Sequence, residues 1–187
     1  GKNKSTNLDE AFKDYVYCLG RSFEVADYIA INISSPNTFD LRKLSSDQYI
    51  DNLLKQLVQE SKKLEKLFQK KIPLIIKLSP DESAASLERI VNTSIEYGIS
   101  GFIISNTMYG NYQDIEGGIS GKMLRDKSMN ALKIVHRNIT SDQILISSGG
   151  IFNNDDLEER LDHGARLVQI YTSFVYRGPK VLEEILN

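Results

Sequence analysis

The sequence predicts a parallel α/β fold in which an opening helix precedes five strand–helix units. Three observations predict it. Apolar runs rich in Ile and Val, at 28–33, 73–78, 101–105, 143–147 and 167–171, alternate with longer polar segments at helical spacing, the pattern of βα repeats. Each run is nearly continuous in hydrophobicity, as expected of parallel strands covered on both faces. Polar or glycine-rich sequence closes every run, as "SSPNT", "KLSPD", "SNT", "SSGG" and "YTS". An open doubly wound sheet concentrates its site at one switch point, whereas loaded ends on every strand suit a barrel whose loops meet at one mouth. Too few runs are present to close eight strands. The expectation is therefore a (β/α)8 TIM barrel of which this chain supplies about the last five units, residues 1–187 being the carboxyl-terminal part of one domain with about three units before Gly1.

The helical segments follow in order. Residues 8–19 come after Asn7, with Glu10 placed as a capping-box partner. Residues 46–69 carry Ile50, Leu53, Leu54, Leu57, Leu64 and Leu67 at steps of mostly three and four. Residues 83–97 put Leu87, Ile90, Val91 and Ile95 on one face and stop at Gly98, and residues 128–137 carry Ala131, Leu132, Ile134 and Val135. Residues 153–162 end near Gly164, and Pro179 after Gly178 opens the last helix, 179–186.

Composition bounds the function. The chain of 187 residues is 41% hydrophobic and 26% charged, ordinary for a globular domain. A formal net charge of −2 gives no electrostatic case for nucleic acid or an anionic membrane surface. Cys18 is the one cysteine, which rules out an internal disulfide framework and fits a reducing compartment; it is expected as a buried helix residue. His136 and His163 form no metal-ligand pattern. No apolar run is long enough to span a membrane, and "GKNKSTN" has no apolar targeting core.

Two glycine signals carry the first chemistry. "GGISG" (117–121) and "SSGG" (147–150) lie on successive βα loops, and "IYTS" (170–173) ends the last run. Successive backbone N–H groups cradle phosphate oxygens, and barrels often bind phosphate through the loops after strands seven and eight. Gly149, Gly150, Tyr171 and Thr172 are thus a phosphate-site candidate, against the plainer reading of tight turns. Lys77 sits in the otherwise apolar "IIKLSP", where an unpaired ammonium is costly. Either it offsets negative charge on a ligand at the mouth, or it is a snorkelling or salt-bridged lysine with Asp81 or Glu82 nearby. Asn32 ends the first run, with Ser34, Ser35, Asn37 and Thr38 on the loop beyond, and "SNT" (105–107) repeats the theme. Amides offer donors and acceptors together and suit a flat ligand rich in amide edges. Taken alone "SSPN" marks a turn more often than a catalytic serine, and no G-x-S-x-G elbow or neighbouring histidine argues for a hydrolase triad.

These residues, read together, resemble the dihydroorotate dehydrogenase family. The matching stretches are "GKNK" (1–4), "YIAINISSPNT" (28–38), "LRKL" (41–44), "IIKLSPD" (75–81), "ISNT" (104–107), "GGISGKMLRDKS" (117–128), "SSGGI" (147–151) and "GARLVQIYTSFVYRGP" (164–179). A serine at the base position makes the chain similar to class 2, the membrane-associated, quinone-reducing branch. The resemblance implies FMN at the mouth of an eight-stranded barrel and oxidation of dihydroorotate to orotate in pyrimidine synthesis. It implies Ser35 as the base for the C5 proton, and Asn32, Asn37, Asn106 and Thr107 as the orotate pocket. It places Lys77 beside the flavin pyrimidine edge, and Asn32, Ser105, Gly121, Gly150, Tyr171 and Thr172 on FMN, with no metal. Met108 and the Phe39-Asp40 pair depart from the family pattern, the latter in a loop expected to act as a lid. Quinone is implied as the final acceptor. Peripheral attachment through an amino-terminal segment is implied too, at the bacterial cytoplasmic or mitochondrial inner membrane. The 187-residue piece alone is expected to be nearly inactive. Two rivals stand beside this reading: a flavin-independent, phosphate-binding barrel lyase or isomerase using Lys77, and a non-catalytic half-barrel.

Overall fold

The computed structural model describes residues 1–38 and 40–187; Phe39, of the Phe39-Asp40 departure, lies outside the described residues. In chain order the elements begin with α1 (Ala11–Ser22), β1 (Ile29–Asn32), α2 (Asp47–Phe68), β2 (Leu74–Leu78), α3 (Ala84–Glu96) and β3 (Gly101–Ile104). A hairpin of β4 (Met108–Tyr112) and β5 (Ile115–Ile119) comes next, then α4 (Arg125–Asn138), β6 (Ile144–Ser148), α5 (Asn154–Asp162) and β7 (Leu167–Gln169). Two short helices, α6 (Thr172–Arg177) and α7 (Val181–Leu186), end the chain.

The five long-range strands form one parallel sheet in the order β1-β2-β3-β6-β7. Each strand is added beside its predecessor with no reversal. A doubly wound sheet requires a reversal, so this is the singly wound order of a barrel wall. Right-handed crossovers then put the connecting helices on one face. On that face Leu74, Ile76, Leu78, Phe102, Ile104 and Leu145 pack into the main core with residues of α1 to α4. The alternate positions Ile75, Ile103 and Ile146 form a separate apolar cluster on the opposite face. Side chains of a strand alternate between faces, and the register aligns Asn32, Lys77, Ile103, Ile146 and Leu167 in one inner row. Lys77 therefore points to the barrel interior, at the end nearest the mouth.

Several helix details differ from the sequence reading. The Asn7–Glu10 capping box does not form: Leu8–Glu10 is a 3-10 turn, the Asn7 side chain caps nothing, and the Glu10 carboxylate is taken by Lys13. Ser83 and Asn153 do cap, accepting from the N–H groups of Ser86 and Asp156. On α2 the stripe Ile50, Leu53, Leu54, Leu57 and Leu64 is buried as expected, but Leu67 is 71% exposed. Its neighbour Phe68 turns inward instead and stacks on Phe23 with ring centroids 6.0 Å apart. Cys18 is exposed on α1, not buried, because Tyr15 and Leu19 hold the core face of that helix. The final run, expected as strand over 167–171, pairs only through Gln169 before the chain turns into α6. No described helix is long and apolar enough to cross a membrane.

The difference within α2 is measurable. Leu57→Ala should lower the unfolding free energy by about 2–5 kcal/mol, the cost of a buried cavity, whereas Leu67→Ala should change it by less than about 0.5 kcal/mol. Urea unfolding followed by circular dichroism reads both.

Candidate active site

The carboxyl ends of β2, β3, β6 and β7 surround a cavity of about 430 Å³, within the range of small-molecule sites. Lys77, Ser105, Asn106 and Thr107 line one side, and Gly121, Gly150, Tyr171 and Thr172 line the other. Asn32, Ser35 and Asn37 lie outside this lining, on the adjoining rim. Asn32 is tied to it by a short network.

That network orders the amides. Asn106 Nδ2 donates to Asn32 Oδ1 and to Ser34 Oγ, both at 3.0 Å, and Asn106 Oδ1 accepts the Thr107 N–H at 2.9 Å. The Ser34 N–H also reaches Asn32 Oδ1, at 3.1 Å, and Ser34 Oγ donates to the Lys77 carbonyl at 2.7 Å. With its oxygen so engaged, Asn32 presents an Nδ2 that has no partner among the described residues. Two donors are thus left for a ligand. Sequence reasoning mentioned Ser34 but assigned it nothing; its 2% exposure and three-way bonding show a buried brace for the pocket.

Beyond Ser34 the loop turns over the hairpin. Ser35 is half-buried, and its Oγ accepts the Asn37 N–H at 3.3 Å. Pro36 and Thr107 both close on Gly118: a Cβ there would stand 2.3 Å from Thr107 Oγ1 and 3.2 Å from Pro36 Cγ. Only glycine permits that approach. Ser35, Asn37 and Thr107 therefore share one rim, with the hairpin beneath them.

The opposite side is a backbone cradle. Gly149 and Gly150 adopt φ of 108° and 76°, and a Cβ on Gly150 would meet Arg125 Cα at 2.5 Å. The loop after β6 is thus seated directly on the first residue of α4. Facing it, Ser120 Oγ and Thr172 Oγ1 are hydrogen-bonded at 2.8 Å. Gly149 and Gly150 line one cavity with Gly121 and Thr172, and their positive φ is also what a tight turn requires.

Lys77 makes no ion pair among the described residues, so its alternative reading as a salt-bridged lysine fails. Asp81 is taken elsewhere: Arg42 Nη2 pairs with it at 2.7 Å, Lys127 pairs with it, and the Tyr109 N–H donates to it at 2.7 Å. Glu82 accepts from Ser45 Oγ at 2.9 Å and from Ser86 Oγ at 2.7 Å. Burial alone lowers the Lys77 pKa from its ordinary value. Asp81 behaves in the opposite sense to a lone buried acid. Burial raises its pKa, but Lys127, the Tyr109 N–H and Arg42 together hold it below the usual carboxylate range. Asp81 thereby fastens the segment after the Ser35 loop, the hairpin and α4 to the end of β2.

Parallel strands added in chain order, helices on one face and a single polar mouth define the (β/α)-barrel class. Within that class the chain belongs to the dihydroorotate dehydrogenase family, whose model, described as Dihydroorotate dehydrogenase, matches residues 1–187. The dihydroorotate dehydrogenase (quinone) of Legionella pneumophila (strain Corby) is 38% identical over the whole of this chain and 58% of that protein. The enzyme of the same name from Haemophilus influenzae (strain 86-028NP) is 35% identical, again over the whole chain and 57% of its own length. The structure from Eimeria tenella in complex with ferulenol superposes with a TM-score of 0.90 at 31% identity, covering 99% of this chain and 54% of that one. The chain therefore spans rather more than half the length of the relatives it matches.

A depressed carboxylate pKa stabilises the fold above the unfolded value and ceases to do so as pH falls through the folded value. Asp81→Asn should therefore cost about 1 kcal/mol at neutral pH, the charged hydrogen bonds being discounted for partial exposure. The deficit should shrink as pH drops below about 4, where the parent carboxyl also becomes neutral. Thermal unfolding of both proteins across pH tests this.

Proposed function

We propose that this chain forms the carboxyl-terminal part of the barrel of a quinone-dependent dihydroorotate dehydrogenase, which oxidises (S)-dihydroorotate to orotate in pyrimidine synthesis. One observation carries the reading: the half-buried Lys77, without a carboxylate partner among the described residues, lines the same cavity as Asn106, Thr107 and the Gly121–Gly150 cradle. A glycine backbone whose Cβ space is filled by Arg125 suits a phosphate, and a fixed ammonium suits a ring system that gains negative charge. Those are the demands of FMN, and the residues present fit it. Gly121, Gly150, Tyr171 and Thr172 would hold its phosphate end; Lys77, Ser105 and Asn32 would face its ring. Family membership supports this flavin reading over a flavin-independent lyase or isomerase built on Lys77.

Bound FMN supplies a two-electron acceptor for the C6 hydride, with quinone as the final acceptor. The chain's own residues bind the substrate and move the proton. Asn32 Nδ2 offers two donors to the carboxylate or ring carbonyls, and Asn37, Asn106 and Thr107 complete the polar wall. Ser35 Oγ takes the proton from C5, so that the C5–H pair becomes the second bond between C5 and C6. A hydroxyl is a weak base at its ordinary pKa and acts in this way only where water is excluded and its own proton has an exit. The loop carrying Ser35 and Thr38 provides the cover by folding over the hairpin. Attachment to a membrane, where quinone resides, is assigned to the part of the relatives that this chain does not span.

Anaerobic addition of dihydroorotate to the purified full-length enzyme that contains this chain should bleach the visible flavin absorbance; colourless enzyme, or colour that persists, would refute the assignment. Ser35→Ala should slow that bleaching by about 10²–10⁴-fold, the usual scale for a general base, with little change in orotate affinity. Equal losses in rate and affinity would show that Ser35 only binds. Ser35→Cys should move the pH optimum downward, because a thiol ionises more readily than a hydroxyl.

A further inference from the structure

Beneath the glycine cradle lies a charged residue that the chemistry above does not use. Arg160, on α5, is fully buried at 0% exposure and forms no ion pair among the described residues. Its Nη2 donates to the Gly149 carbonyl at 3.0 Å and to the Arg125 carbonyl at 3.1 Å, while Nε and Nη1 have no partner. The nearby carboxylates are committed elsewhere: Arg125 holds Asp156 at 2.6 Å and Glu159 at 2.7 Å. A buried guanidinium without a bound counter-charge is costly to the fold, and burial lowers its pKa. Such a charge is stabilised by any anion that binds close above it, because field lines are weakly screened in a buried site.

The contact also sets a direction. In a trans peptide the carbonyl and the following N–H point opposite ways. Drawing the Gly149 oxygen down onto Arg160 turns the Gly150 N–H away from the guanidinium, toward the cavity that Gly150 lines. Ser128 Oγ lies within hydrogen-bonding distance of the same two carbonyls, 2.9 Å from Arg125 and 3.0 Å from Gly149. The loop after β6 is thus held from behind by two donors, one of them cationic.

We propose that Arg160 is a positioning residue for the phosphate end of the cofactor, aiming the Gly150 N–H into the cavity and placing a positive charge behind the anion. The inference rests on the FMN reading above. It differs from a merely structural role in one respect: Arg160 matters to a ligand that carries the phosphate and not to the same ligand without it. FMN and riboflavin differ by that group alone.

The test is flavin-fluorescence titration of the full-length apoenzyme that contains this chain with FMN and with riboflavin, for the parent, Arg160→Met and Arg160→Lys. Arg160→Met should weaken FMN binding by about tenfold or more while riboflavin changes by less than about threefold, as expected when a charge-assisted contact is lost. Arg160→Lys should restore part of the preference. An unchanged FMN-to-riboflavin ratio in Arg160→Met overturns the proposal, as does a parent that binds the two flavins equally. A parent that binds neither removes the flavin reading itself, and this inference with it. Should Arg160→Met fail to fold, ³¹P NMR of FMN bound to the parent decides. A second phosphate ionisation below the free value of about 6 supports a cation behind the loop, and one at or above it overturns the proposal.

Discussion

The register that aligns Asn32, Lys77, Ile103 and Ile146 across adjacent parallel strands is the constraint on which the site depends. Parallel pairing in chain order puts every carboxyl end at the same rim, and strand alternation then decides which side chains face the interior. Ile103 and Ile146 fill the row beside Lys77, with Ile75 one step below it on the same face. One step toward the mouth come Ser105 and Gln169 around the cavity. A slip of one residue in β2 would exchange Lys77 for a core residue and bury its ammonium among the helices.

The electrostatics of the mouth follow from how the carboxylates are shared out. The chain as a whole carries a formal charge of −2, yet three acids around the cavity are engaged by cations. Asp81 is bound by Arg42 and Lys127, and Asp156 and Glu159 by Arg125. Among the described residues, two buried or half-buried cations at this cavity are left without a carboxylate: Lys77 in its wall and Arg160 behind its glycine loop. A ligand negative at one end and electron-accepting at the other matches that division. The uncharged donors, Asn32 Nδ2 and the hydroxyl rim, suit a planar substrate held between.

Much of this was legible in the sequence because it rests on local pattern. The apolar runs marked the five barrel strands, and the polar residues after each run identified the mouth and argued for a barrel. The hairpin was not legible. Its strands, "MYGNY" and "IEGGI", are largely exposed and lack an apolar face, and its turn places Gln113 and Asp114 at positive φ without the glycine that usually announces such a turn. Leu67 and Cys18 were misjudged because helical periodicity cannot tell which of two adjacent residues meets a partner such as Phe23. The brace between Asn32 and Asn106 joins residues 74 apart in sequence, and no local signal announces it. Arg160 reads as a polar-face residue of an acidic helix until the fold buries it.

The most direct test of the central claim, that Lys77 answers charge acquired by a ring at the mouth, is the two-electron midpoint potential of the bound flavin in the parent and in Lys77→Met. Loss of the ammonium should lower the potential by on the order of 30 mV or more, since that interval corresponds to about 1.4 kcal/mol for a two-electron couple. Equal potentials in the two proteins, with flavin bound in both, would contradict it.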